Sequence, residues 1–292
     1  MSKKNMKSYM MLISSMLIFG TIGIFRKYIP LSSGMIAFFR GLLGSAFLFI
    51  FFAVKGHKTH RIEKKKLLML TVTGAILGLN WILLFEAYNY TSVATATMCY
   101  YMQPTIVILL SPITFQERIT IKKGFCAIAS IIGMVFVSGM MDNAGINAQD
   151  ITGILCGLGA AVFYSLVVIM NKKVQIKDVY EKTIIQLASS AIILIPYLLL
   201  TENWSAIALD TMAVVMVLII GIVHTGIAYA LYFGSMKDLK AQSIAVLSYI
   251  DPVFALLLSA GVLHEKLSVF GVAGAVLILG SALISEINGK WR

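Results

Sequence analysis

Long apolar runs, separated by short polar or basic connectors, set the pattern of this chain. The first extends from about Ser8 to Phe25, behind Lys3, Lys4 and Lys7. A secretory leader carries a shorter apolar stretch followed by a small-residue cleavage site. Neither feature is present here, so the run reads as an uncleaved first span. Further apolar segments make the series about 8–26, 34–54, 67–88, 92–114 and 123–140, then 151–170, 182–200, 212–234, 241–262 and 268–286. A helix needs roughly 20 apolar residues to cross a hydrocarbon core of about 30 Å, and each segment is close to that length. The pattern predicts an all-α integral membrane protein with ten transmembrane helices. The longest connector is Lys55 to Lys66, which leaves no room for a soluble domain.

Composition agrees with lipid as the solvent. The chain is 59% hydrophobic and only 13% charged, where a soluble domain carries about 25% charged residues. The net charge of +11 would point to nucleic acid on a soluble protein, but here the basic residues alternate between connectors. With the N-terminus inside, the predicted cytoplasmic segments hold 20 Lys and Arg, and the outer loops hold three, Arg26, Lys27 and Lys266. Cytoplasmic loops are the basic ones. The expectation is a multi-pass protein of the cytoplasmic (cell) membrane, with both termini cytoplasmic and no nucleic-acid partner. Cys99, Cys126 and Cys156 lie in apolar runs without paired spacing, so neither a disulfide framework nor a metal site is expected.

The chain also repeats itself. Shifted by 148 residues, Phe85–Thr120 aligns with Phe233–Ser268 without a gap. Tyr101 meets Tyr249, Pro104 meets Pro252, and Glu117 meets Glu265, each glutamate followed by a basic residue. The halves are 1–145 and 146–292. Five spans is an odd number, so the fourth and ninth spans run in opposite directions and the two five-helix repeats are inverted. Inverted repeats recur in secondary transporters, because exchanging the conformations of the two halves turns one access state into the other.

The segments FEAYNYTSVATATMCYYMQP with FQERIT, and HTGIAYALYF with SYIDP and HEKLS, resemble the two halves of an EamA-type carrier of the drug/metabolite transporter superfamily. The resemblance covers essentially the whole chain. It implies alternating access around a central cavity, commonly for export of amino acids or related metabolites. Phe19 and Phe163 stand where such carriers often have tryptophan.

Intramembrane polar groups supply the candidate chemistry. Pro104 and Pro252 each fall near the middle of a span, where proline removes a donor and frees the carbonyl four residues back. They are candidate hinges. Asp251 and His224 lie near mid-depth, where an unpaired carboxylate costs roughly 2.5–3.5 kcal/mol, and they are candidates for a proton or amine site. Arg40 and Glu86 lie toward the outer side. They could pair with each other, or bind the carboxylate and amine of a substrate. Asn80, Trp81, Tyr101, Gln103, Tyr232 and Tyr249, with Tyr100 and Tyr229, are candidate cavity residues that offer apolar faces with a polar handle. Glu117 and Glu265 are assigned to structure, with Thr120 and Ser268 placed to cap the following helices.

No GxxxxGK[ST] loop, HExxH or GxSxG is present, so no cofactor is expected. The sequence reading is a secondary transporter, not an enzyme. It exports a small metabolite such as an amino acid, an amine or a related compound, and proton coupling is left open. The alternative is a polytopic membrane enzyme acting on a lipid or isoprenoid substrate. Whether the protein is a monomer or a homodimer is undecided.

Overall fold

The computed structural model describes residues 3–57, 59–116, 118–141, 147–174, 176, 178–202, 211–236, 238–239, 241–266 and 268–287. Among the described residues all regular structure is helical. The order is α1 (Lys3–Gly20), α2 (Ile22–Lys27), α3 (Ser33–Val54), α4 (Lys64–Tyr90), α5 (Val93–Tyr100), α6 (Gln103–Phe115), α7 (Ile121–Val137), α8 (Ala148–Lys173) and α9 (Val179–Thr201). There follow α10 (Thr211–Leu218), a π-helical segment (Ile219–Ile227), α11 (Ala228–Met236), α12 (Ala241–Ser248), α13 (Ile250–Gly261) and α14 (Val269–Ile287).

Seven stretches are long and apolar enough to cross a membrane: Met6–Lys27, Ser33–Val54, Lys64–Tyr90, Val93–Phe115, Ala148–Lys173, Val179–Thr201 and Thr211–Met236. Val246–Gly261 and Val269–Ser285 are shorter apolar helices. Large aliphatic side chains stand outward on these helices; Leu200 is 87% exposed and Val269 85%. Soluble monomers rarely leave apolar surface in this quantity uncovered, and lipid is the solvent that suits it.

The interior holds two apolar clusters. The larger joins Ile36 and Leu48 of α3, Trp81 and Phe85 of α4, Val167 of α8, Leu187 and Leu194 of α9 and Ile220 of the π segment. The smaller joins Met98 and Cys99 of α5, Met134 of α7, Ala161 of α8 and Ile278 of α14. Helices in lipid associate by close packing, so small residues gather at their contacts. Gly41 is such a contact: a Cβ there would stand 2.6 Å from Ser190 Oγ and 2.9 Å from the Leu187 carbonyl of α9.

Helix starts follow from local chemistry. Ser32, Ser92, Thr120 and Asn147 cap α3, α5, α7 and α8, each with its side chain accepting an N–H three residues on. Ser268 does the same for Gly271 at 2.9 Å. The caps at Thr120 and Ser268 are those read from the sequence; Glu117 lies outside the described residues. Asp178 caps α9 and also bonds His57 at 2.9 Å, which pins the connector after α3 to that helix.

Two sequence expectations change. Arg26, counted with an outer loop, belongs to α2 and is buried; its Nη1 donates to the Ile29 carbonyl at 3.1 Å. The prolines do not bend continuous helices. The chain breaks between α5 and α6 and again between α12 and α13, and Pro104 and Pro252 fall in the first turns of α6 and α13. A first turn leaves its N–H groups without helical acceptors, so proline loses nothing there.

Candidate functional site

The helix breaks surround a cavity of about 1230 Å³. Its inner end is lined by Ile22, Gly23 and Tyr88, and it extends to Thr120, Lys122, Lys123 and Leu239. Outside the cavity lining, Glu265 ties neighbouring elements together. That carboxylate accepts the Val93 N–H at 2.9 Å and the Ser259 hydroxyl, and it faces Lys27 at 3.9 Å.

Arg40 reaches the cavity from α3 and is only 6% exposed. Its guanidinium carbon stacks over the Trp81 ring, 4.2 Å from the centroid, and Nε donates to Thr225 Oγ1 at 3.1 Å. Thr225 can accept there because of the π segment. Its own hydroxyl proton goes to the Ile220 carbonyl five residues back, at 3.1 Å. Short π stretches of this kind concentrate at functional sites. Gly44 lets α3 approach closely enough, since a Cβ at that position would stand 2.5 Å from Thr225 Cγ2.

Asp251 lines the cavity from the first turn of α13. Tyr101, at the α5–α6 break, donates its hydroxyl to Asp251 Oδ2 at 2.7 Å. Among the described residues no Lys or Arg lies within ion-pairing distance of Asp251, and no carboxylate lies within that distance of Arg40. The wall between them is aromatic. The rings of Tyr100 and Tyr164 lie 5.5 Å apart, and those of Phe19 and Tyr229 5.3 Å apart.

Of the residues singled out in the sequence, Arg40, Trp81, Tyr101, Gln103, Pro104, Tyr232, Tyr249 and Asp251 share this cavity. Asn80, Glu86, His224 and Pro252 are not among its lining. Asn80 is fully buried and donates Nδ2 to the Ala160 carbonyl of α8 at 2.6 Å, a clamp between helices. Glu86 accepts from Asn89 Nδ2 at 3.2 Å rather than pairing with Arg40. His224 turns away from the cavity, bonding Thr21 Oγ1 at 2.7 Å where α1 meets α2 and facing the Phe25 ring at 4.8 Å. Pro252 is buried in the first turn of α13. Sequence reasoning missed Tyr88, Thr97, Tyr164 and Thr225. The signal for Thr225 was its place beside His224 in a span that already drew attention.

The chain is thus a polytopic helical membrane protein built around a cavity lined mainly by aromatic and apolar side chains with Arg40 and Asp251 among them. The sequence profile of the EamA-like transporter family matches residues 6–139 and 151–286, and the chain belongs to that family, within the drug/metabolite transporter superfamily. A Bacillus subtilis (strain 168) protein described as "Uncharacterized transporter YxxF" is 30% identical to this chain, over 100% of it and 93% of the relative. An Escherichia coli (strain K12) protein described as a "Probable amino-acid metabolite efflux pump" is 26% identical, over 72% of this chain and 73% of the relative. One solved crystal structure superposes with a TM-score of 0.64 at 18% identity, covering 95% of this chain and 96% of that one, which speaks to the fold alone.

Proposed function

We propose that this protein is a secondary active carrier of the cytoplasmic membrane that exports a small metabolite, an amino acid, an amine or a related compound, by alternating access. The observation that carries the reading is the cavity itself. Its lining includes Lys122 and Lys123, which the sequence places in a cytoplasmic connector, whereas Glu265, in a predicted outer loop, ties α5 to the end of α13. By the distribution of Lys and Arg, the end at Lys122 and Lys123 faces the cytoplasm, so the arrangement is an inward-facing one.

Ten spans in two inverted repeats are part of the same reading. Supporting it, the helix contacts come in pairs that exchange under the 148-residue shift. α4 packs on α8 as α11 packs on α1, α3 packs on its own counterpart α9, and α7 packs on α14. The first two pairs are also each tied by a bond, though not between equivalent atoms: Asn80 of α4 donates to the Ala160 carbonyl of α8, and Ser15 of α1 donates to the Ala228 carbonyl of α11 at 2.9 Å. Both termini would then be cytoplasmic. The relatives are described as transporters, and no observation favours the lipid-enzyme alternative. Proton coupling is assigned to Asp251, the acidic residue among the described lining of the cavity.

Reconstituted vesicles test the carrier. Protein-dependent, saturable uptake of at least one amino acid or amine is expected, and Asp251→Asn should remove any dependence on a pH gradient. Uptake no faster than in protein-free vesicles across the whole panel would overturn the reading.

A further inference from the structure

We infer that the cavity is built for a zwitterion with an apolar body, its anionic group held by Arg40 and its cationic group by Asp251. This rests on the carrier reading and narrows its substrate. The first observation is that both charges are unspent. Arg40 has Nε on Thr225 and its flat face on Trp81, so its orientation is fixed on two sides. The two terminal nitrogens make no hydrogen bond among the described residues, and the residue lines the cavity. A guanidinium edge held in this way is the geometry that takes a carboxylate in a two-pronged bond.

Asp251 shows the opposite sign with the same economy. One carboxylate oxygen accepts from Tyr101, and the other accepts no hydrogen bond among the described residues. Glu86, the carboxylate expected from the sequence to neutralise Arg40, is bonded to Asn89 instead.

Charge selection follows. A simple amine would satisfy Asp251 and leave Arg40 both unpaired and repulsive in a weakly screening interior. A simple carboxylate would do the reverse. A neutral sugar could hydrogen-bond both groups but would neutralise neither charge. A phosphate ester would bring two negative charges to one arginine and one opposing aspartate. A molecule carrying one charge of each sign leaves neither group unpaired. Between the two groups the rings of Tyr100, Tyr164 and Tyr229 offer apolar faces to the body that joins the charges.

Three probes of one carbon frame test this: leucine, 3-methylbutylamine and 4-methylpentanoate, scored by thermal stabilisation of the purified protein. Leucine should bind at least tenfold tighter than either singly charged probe. Arg40→Gln should weaken leucine about tenfold or more and make the amine the preferred probe, and Asp251→Asn should make the carboxylate the preferred probe. A second measurement needs no variant: acetate should tighten binding of the amine probe, and methylammonium should tighten binding of the carboxylate probe. Preference for a singly charged probe, no binding of any probe, equal losses of all three probes within each variant, or no such cooperation on the unmutated protein would each overturn the inference. Flux in vesicles is read separately. Zwitterion binding without flux would refute the carrier and leave this site standing, and flux of singly charged compounds alone would refute only the site.

Discussion

Glu265 gives the sharpest prediction, because its bonds link α5, the end of α13 and Lys27 and can be counted. Its carboxylate accepts from the Val93 N–H at the start of α5 and from the fully buried Ser259 hydroxyl, and it meets Lys27 at 3.9 Å. A hydrogen bond to a charged acceptor contributes about 1.5–3 kcal/mol, and charge assistance accounts for roughly half of that. The Lys27 contact is long and partly exposed, so it adds less than about 1 kcal/mol. Glu265→Gln keeps an acceptor but removes the charge, so this junction should weaken by about 1.4–3 kcal/mol, a ten- to hundredfold change in population.

Hydrogen exchange reads this directly. Amides 93–96 and 259–263 should exchange at least about tenfold faster in Glu265→Gln, because local opening sets their rate. Amides in the middle of α3 and α9 are the internal control and should not change. Unaltered exchange at 93–96 would refute the reasoning, and uniform acceleration everywhere would show loss of global stability instead.

Other outcomes follow from single contacts. Thr225→Val should keep the fold but free Arg40 Nε, weakening a carboxylate-bearing ligand about tenfold while Thr225→Ser retains binding; equal affinity in both variants would separate Thr225 from the site. Asn80→Leu should leave ligand affinity unchanged and shift stability by less than about 1 kcal/mol, since it removes an unmatched Oδ1 together with the clamp; a loss of binding would restore Asn80 to the cavity. Gly41→Ala should lower the unfolding temperature, with a cost of about 1–3 kcal/mol. Removing the Ser190 hydroxyl as well should not rescue it, because the Leu187 carbonyl still blocks the new Cβ.

How far the sequence was legible depends on which physical signal each feature leaves. The helical segments are visible because lipid demands long apolar runs, and each stretch read from the sequence overlaps helix among the described residues. Pro104 and Pro252 mark where the fourth and ninth spans depart from a plain helix, but in the sequence they read as hinges within continuous helices rather than as the first turns of α6 and α13. The rotation of each helix is not visible. α4 is apolar nearly all round, so nothing in its sequence says that Trp81 and Tyr88 face the cavity while Asn80 faces α8. The same ambiguity set His224 in the site and left Thr225, one residue on, unnoticed. Within a π segment adjacent residues diverge in a way that ordinary helical periodicity does not anticipate. Arg26 went to a loop because a charged pair beside an apolar run usually ends a helix, whereas here backbone and hydroxyl acceptors hold it inside.

The two unpaired charges also constrain how the empty protein can move. On the carrier reading proposed above, the open cavity leaves the unbonded edge of Arg40 and one oxygen of Asp251 facing its space. Closing it empty would leave the cation with only Thr225 and Trp81, and the carboxylate with only Tyr101, to offset their charge. The insertion cost of such groups at mid-membrane is about 2.5–3.5 kcal/mol each. A zwitterion bonded to both groups removes most of that penalty, so the loaded form closes far more easily than the empty one. A difference of about 3 kcal/mol corresponds to roughly a hundredfold in population. Exchange of labelled for unlabelled ligand across the membrane should therefore run much faster than net efflux into ligand-free medium. In Arg40→Gln with Asp251→Asn, where no charge is stranded, the gap between the two rates should shrink for any ligand the variant still carries. Equal exchange and net rates in the unmutated protein would show that the stranded charges do not govern closure.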